Sequence, residues 1–218
     1  SRYIINFWDW PEEKACQYSL PFEWIRNTVY AERLKKSEQK SYKDIMASWW
    51  LHHRPRSELY HAIGRGRHFS NHPNGWKPKE TQMQDVIVAP LVSKYLIFSR
   101  VPNSIIFMHK LAVFARSDPA FLALMHSSIH EVWVRRNSST MGMGLNYSPS
   151  DAFETFPIPE LDGSDLDDLG VGYERQQTKF CANARIGITK LYNLINDTSK
   201  DGSELEELRN SKVAIDLE

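Results

Sequence analysis

His126 and His130 stand four residues apart on a stretch with helical periodicity, a spacing at which one helix face can offer two imidazoles to a metal ion. The metalloprotease form of that pattern needs a glutamate directly after the first histidine, where this chain has Ser127, and no third ligand is indicated. The pair is read as ordinary surface or half-buried histidines. His52 and His53, next to Arg54, are read as a solvated or anion-facing pair. Cys16 and Cys181 form no Cys-x-x-Cys and are read as two reduced thiols, as in a cytoplasmic protein. No glycine-rich fingerprint follows a strand-like run and no Gly-Lys-Ser/Thr occurs, so nucleotide binding finds no support. No catalytic or metal-binding constellation emerges.

The tetrapeptide Ser-Pro-Ser-Asp (148–151) shares one proline with the motif by which amino-methyltransferases grip a base. It lacks the second proline and the stacking aromatic, and is rejected as a catalytic motif. What remains is equipment for recognition. The 64–85 stretch interleaves Arg65, Arg67, Lys77 and Lys79 with His68, Asn71 and Trp76. Further along come Lys94, then His109 and Lys110, then Arg135 and Arg136 at a helix end, followed by a small-residue loop. Lys and Arg neutralise phosphates; Arg, Asn, Ser and Thr can read base edges.

Charge supports the same division. The 218 residues carry 27 Lys+Arg and 27 Asp+Glu, yet the cancellation is not local. Residues 1–150 hold 20 basic against 12 acidic side chains, and residues 151–218 hold 7 against 15. A basic region suits a polyanion, and an acidic helical tail does not. No run approaches the roughly 20 apolar residues of a membrane span, so no membrane partner is expected.

These groups need elements to hold them. The apolar opening reads as a strand or extended connector, followed by a short helix after Pro11, and residues 21–36 have helical spacing at Phe22, Ile25, Val29 and Arg33. Ser57 is a plausible cap for a helix over 57–63. The polar 64–85 stretch reads as a long loop. Residues 85–115 read as three or four sequential antiparallel strands with turn signals at Pro90 and Pro102-Asn103. One helix is predicted over 118–136, capped by Asp118, with Phe121, Met125, Ser128, Ile129 and Val132 on one face. Residues 137–151 read as a flexible loop, 161–172 as an acidic linker, and the rest as a long helix from Tyr173 to about Asn196 and a terminal helix from Ser203. The fold class is α+β: a mainly antiparallel twisted sheet flanked by helices, then a C-terminal helical segment. The abrupt beginning suggests a piece of a longer protein.

Several of these segments form a set. They are VIVAPLVSKYLIFSRVPNSIIFMHKLAVFA, then FLALMHSSIHEVWVRRNSSTMGMGLNYSPSDAFETFPIPE, then ITKLYNLIND and ELEELRNSKVAID. In this order the set resembles the C-terminal half of the MmeI-like (type IIL) and related single-chain restriction–modification adenine methyltransferases of bacteria. The resemblance implies a connector over 1–20 from an upstream methyltransferase domain, a target recognition domain over 21–160, and an acidic linker with a C-terminal helical segment over 161–218. It implies double-stranded DNA as partner, catalysis and S-adenosylmethionine in the parent protein alone, and possible endonuclease activity there. Lys94, Arg135 and Arg136 would bind phosphate or base, and Ser138, Ser139 and Thr140 would open a loop inserted toward the groove. Asn146 and Tyr147, at the far end of that loop, are the expected base-edge contacts, while Phe153 and Phe156 would lock the loop's return. Two other classes stay open: a protein–protein docking module using the acidic tail, and an RNA platform stacking bases on Trp76 and Tyr95.

Overall fold

The computed structural model describes residues 3–78, 82–142, 144–161 and 164–217. The chain divides into two compact units, Ser1–Met83 and Gln84–Glu218.

In the first unit, aromatic rings do most of the packing. The described residues of the opening run form no strand; Phe7 and Trp8 are buried instead. Pro11 precedes α1 (Glu12–Ala15), and α2 (Ser19–Thr28) and α3 (Tyr30–Ser37) meet at Val29. The predicted 21–36 helix is thus kinked into two, although Val29 N–H still reaches the Ile25 carbonyl at 2.7 Å. Phe22 and Ile25 pack with Phe7, Ala15 and Trp49. Trp49 follows a 3-10 segment over Lys40–Ser48. The Trp50 indole donates to the Trp10 carbonyl at 2.8 Å, and that of Trp10 to the His68 carbonyl at 2.6 Å. α4 (Ser57–Ala62) starts after Arg56, whose φ of 54° makes the entry turn; Ser57 is the first helical residue and not the cap. The 64–85 stretch is anchored at its start by Asp9, which accepts from Ser70 N–H, Asn71 N–H and the Asn71 amide at 2.6, 2.8 and 2.9 Å.

The second unit is built around two small antiparallel sheets. β1 (Asp85–Pro90) is the centre of one, between β3 (Ser99–Pro102) and β4 (Leu111–Phe114). The turn signal at Pro90 marks a real break: β1 ends there and the chain leaves the ladder at Leu91, since Pro90 has no N–H to continue it. The next strand, β2 (Val92–Ser93), joins the other sheet. Sheet content is accordingly smaller than expected, and helices dominate the α+β fold.

The helix predicted over 118–136 is two helices. α5 (Pro119–His126) ends where Ser127 leaves helical geometry, with ψ at 153°, and the Ser127 hydroxyl caps α6 (Ser128–Asn137) by accepting His130 N–H at 3.2 Å. The break rotates the expected apolar face: Phe121 and Met125 are buried, whereas Ile129 and Val132 are 66% and 67% exposed. α5 is buried nearly all round, as a helix flanked by two cores must be. On one side Phe121, Leu122 and Met125 pack with Ile87, Phe98, Phe114 and Leu145. On the other, Ala123 packs with Tyr173, Leu191, Leu205 and Leu208 of the C-terminal helices.

Those helices are α7 (Ser164–Ala184), α8 (Ile188–Ile195) and α9 (Ser203–Leu217). Residues 164–172, read as acidic linker, are the first turns of α7. Asp165 and Asp167 suit the positive end of its dipole, and Asp167 also accepts Ala120 N–H at 2.8 Å. Gly170 lies against Pro119: a Cβ there would stand 2.2 Å from the Pro119 carbonyl oxygen. The long helix expected to reach Asn196 stops at Arg185, whose φ is 52°, before α8 begins. Arg209 of α9 closes the end of α8 by donating to the carbonyls of Leu194, Ile195 and Asp197 at 3.1, 3.0 and 2.9 Å. Arg100 of β3 pairs with Glu174 of α7. No helix among the described residues is long and apolar enough to cross a membrane.

His126 is the polar centre of this arrangement. Its ring bonds the Phe98 carbonyl at 3.1 Å and the Tyr192 hydroxyl at 3.0 Å, and the Gln177 amide donates to the same hydroxyl at 3.1 Å. Burial, aided by the Lys212 charge, pushes the His126 pKa down to about 3, and burial pushes that of His130 down to about 4. Both imidazoles are therefore neutral in the fold, while in the unfolded chain they titrate near 6.5. The unfolded state binds the extra protons, so stability is intact above about pH 6.5 and falls as pH drops from there toward 4, by up to about 1.4 kcal/mol per pH unit for each ring. Urea midpoints measured across this window should fall, and His126→Gln should fall less steeply; equal slopes would mean that His126 is not held neutral. Gly170→Ala should lower Tm by several degrees, since relieving a backbone clash costs about 1–3 kcal/mol. An unchanged Tm would refute the close α5–α7 crossing.

Candidate nucleic-acid interface

The segment expected as a flexible loop over 137–151 is mostly a hairpin. β5 (Ser139–Met141) turns through Gly142, with φ at 62°, into β6 (Gly144–Asn146), and β6 pairs in turn with β2. A positive φ is cheap for glycine and strained for other residues, which explains the small-residue composition that reads as a loop. The register places Asn146 opposite both Val92 and Ser139, and Leu145 opposite Ser93 and Thr140.

That register assigns faces. Residues directly opposite share a side of the sheet, and neighbours along a strand alternate. Leu145 is buried in the core with Phe98 and Phe114, so Val92, Asn146 and Ser139 form a row on the outward side. Within the row the Asn146 amide donates to the Ser139 hydroxyl at 3.0 Å, and Val92 is 46% exposed. Thr140 is exposed, although it shares the side of Leu145. Val92 was not singled out in the sequence; only the pairing of β2 with β6 reveals it.

Basic residues border this row. Leu91, immediately before Val92, donates its N–H to the Lys110 carbonyl at 2.9 Å, and its carbonyl accepts Tyr147 N–H at 2.7 Å. These bonds bring the His109–Lys110 turn, β2 with the following Lys94, and the end of β6 to one place. Arg135 and Arg136 end α6 and lead through Ser138 into β5. Arg135 is paired with Glu131 at 2.8 Å, and Glu131 also takes Lys212 at 3.2 Å. Lys94, Lys110 and Arg136 are exposed and form no salt bridge among the described residues. Lys94 lies 4.8 Å above the ring of Tyr95, which in turn is near Tyr192.

Other expected contacts are placed differently. The Tyr147 side chain is only 2% exposed and packs against Phe98 and His130 in the core; it presents no edge to a ligand. Burial raises its phenol pKa. Ser138 is half-buried, and its hydroxyl and that of Tyr147 lack a hydrogen-bond partner among the described residues. In the first unit, Arg65 is 7% exposed, with its guanidinium over the rings of Trp8 and Tyr60 at 5.1 and 5.3 Å. Arg67 and Lys77 are exposed there, and Lys79 lies outside the described residues. Trp76 stacks on His72 at 3.9 Å, with the edge of His61 at 5.3 Å, and His52 is held by the Ile5 carbonyl at 3.1 Å. His126 and His130 belong to the core, and no group of three or more His, Cys, Asp or Glu among the described residues is placed to hold a metal ion.

The Ser-Pro-Ser-Asp tetrapeptide has a packing role. Pro149–Phe153 form one π-helical turn, fastened by the Ser148 hydroxyl on the Asp151 carboxylate at 2.6 Å. At its end Phe153 meets Phe114 edge-on at 4.7 Å, and beyond it Phe156 meets His130 at 4.7 Å. The hairpin is thereby tied back to β4 and α6. Since the Tyr147 hydroxyl is buried without a partner, Tyr147→Phe should leave stability unchanged or raise it by about 1 kcal/mol. Tyr147→Ala should cost about 3–5 kcal/mol. A marked fall in Tm for the phenylalanine variant would reveal a hidden partner for that hydroxyl.

Comparison with known proteins bears on this surface. The chain is similar in fold to the type IIL restriction-modification enzyme MmeI, solved in complex with DNA. The TM-score is 0.57 at 15% identity, and the match covers 87% of this chain and 22% of that enzyme's chain. The chain thus spans about a fifth of that enzyme's length. No curated protein sequence matches it. The sequence model of the MmeI target recognition domain matches residues 24–160, more than half of the chain and inclusive of the whole hairpin and its basic border. This chain belongs to the family of MmeI target recognition domains.

Proposed function

We propose that this chain recognises a short sequence in double-stranded DNA on behalf of a longer restriction–modification protein of the bacterial cytoplasm. The observation that carries the proposal is the outward row Val92–Asn146–Ser139 on the small sheet β2–β6–β5, bordered by Lys94, Lys110 and Arg136, which form no salt bridge among the described residues. The sheet's β5–β6 hairpin is a two-stranded ribbon of the kind that the major groove, about 12 Å wide, admits, and there each base pair shows a distinct pattern of donors and acceptors. Lys94, Lys110 and Arg136 take phosphates, with His109 and Arg135 beside them. Asn146 and Ser139 of the outward row are the groups available to base edges; Thr140 is exposed on the other side of the hairpin. Arg67 and Lys77, with Lys79, offer further phosphate contacts from the first unit. The DNA complex of the MmeI enzyme supports the choice of duplex DNA as partner.

Catalysis belongs to the remainder of the longer protein. An adenine within a duplex must be flipped out before a methyl group can reach it, and holding the flanking duplex in register is the part this chain performs. Residues for S-adenosylmethionine do not fit here. The passage from β4 into α5 runs through Ala115, Arg116, Ser117 and Asp118, without the glycines that let a backbone approach a nucleoside cofactor. The methyl donor and any nuclease activity are assigned to the parent protein, and no chemical step is derived from this chain's residues.

The test is a salt titration of the 218-residue chain with a labelled duplex. The logarithm of the binding constant should fall linearly with the logarithm of salt concentration, and each of Lys94→Ala, Lys110→Ala and Arg136→Ala should reduce the slope by about one. Binding indifferent to salt, or equal affinity for single strands, would rule the proposal out.

A further inference from the structure

Val92 is the apolar member of the outward row. Its neighbours across the strands are a carboxamide and a hydroxyl, and Lys94 and Lys110 border it. It is 46% exposed, and its pleat direction turns it away from the core that holds Leu145. A valine offers no hydrogen bond. Pressed against guanine, cytosine or adenine in the major groove, it would strip water from polar edges and return nothing. A thymine is different, because it presents its C5 methyl group there.

We propose that Val92 is a specificity residue that packs on the C5 methyl group of a thymine, beside an adenine read by Asn146. This rests on the duplex-reading proposal above. Asn146 suits adenine because one Nδ2 hydrogen is committed to Ser139, while the other and Oδ1 remain for the fork to N6 and N7. Residues paired across an antiparallel ribbon hold their Cβ atoms about 4.5–5.5 Å apart. That span corresponds to between one and two base-pair rises of about 3.4 Å, so the thymine lies one or two pairs from the adenine. The row therefore reads a short A·T-containing stretch, with Asn146 on an adenine and Val92 on a thymine methyl one or two pairs away.

The experiment begins with selection of bound duplexes from a randomised pool by the intact chain. Each thymine of the selected site is then replaced singly by uracil, which removes the C5 methyl and nothing else. Wild-type protein should lose about four-fold in affinity at one thymine, the worth of one buried methyl group. For Val92→Ala the uracil and thymine duplexes should bind equally at that position, whereas Val92→Ile should keep the preference. Both variants should retain the wild-type salt slope, which shows that they are folded and still grip phosphate. If no thymine is sensitive, or if the sensitivity survives in Val92→Ala, the assignment to Val92 is overturned while duplex recognition stands. Failure of the wild-type chain to select any duplex overturns both.

Discussion

A neutral imidazole at the end of α5 holds the second unit together. His126 bonds the Phe98 carbonyl on its sheet side and the Tyr192 hydroxyl on its helical side. A buried polar group without partners costs roughly 1–3 kcal/mol, so each core obliges the other to stay in place. If α8 left, His126 would lose Tyr192; if the Phe98 segment moved, it would lose its carbonyl. Phe98 also touches Tyr147, and Tyr147 N–H holds Leu91, so the position of the outward row depends on this imidazole through continuous packing. The acidic C-terminal helices, which present a poor surface for a polyanion, thereby contribute to recognition as structural support.

Much of this was legible in the sequence, and the failures have physical causes. The terminal helix from Ser203, the Asp118 cap, the antiparallel pairing and the α+β class follow from periodicity and turn chemistry. Gly170 and Gly172 read as linker because glycine usually marks flexibility; Gly170 is there because α7 crosses the backbone at Pro119 too closely for a Cβ. Ser127 sits inside an unbroken helical pattern, and its capping role shows only once His130 must be buried. The 137–151 stretch reads as a loop because its strands are three residues long and rich in small side chains.

The candidate interface was legible as composition and illegible as geometry. Lys94, Lys110, Arg136 and Asn146 were identifiable by type, whereas Arg65 and Tyr147 were equally eligible by type and lie inside. A guanidinium covered by Trp8 and Tyr60 can be sheltered from solvent through ring contacts that no linear spacing reveals. Tyr147 follows Asn146 directly, and one step along the chain turned its side chain to the core. The acidic tail and the aromatic pair Trp76 and Tyr95, which kept other partners open, are engaged in helix packing and in ring contacts with His72 and Tyr192.

The pleat of β6 also separates two kinds of demand on neighbouring residues. Leu145 and Asn146 are adjacent, yet one packs into the interior and the other lies on the outward side, bonded to Ser139. Substitutions at 92, 139 and 146 should therefore disturb the core less than substitutions at 145. The interior and the outward row are thus carried on opposite sides of one short sheet, so the two sets of side chains meet different demands.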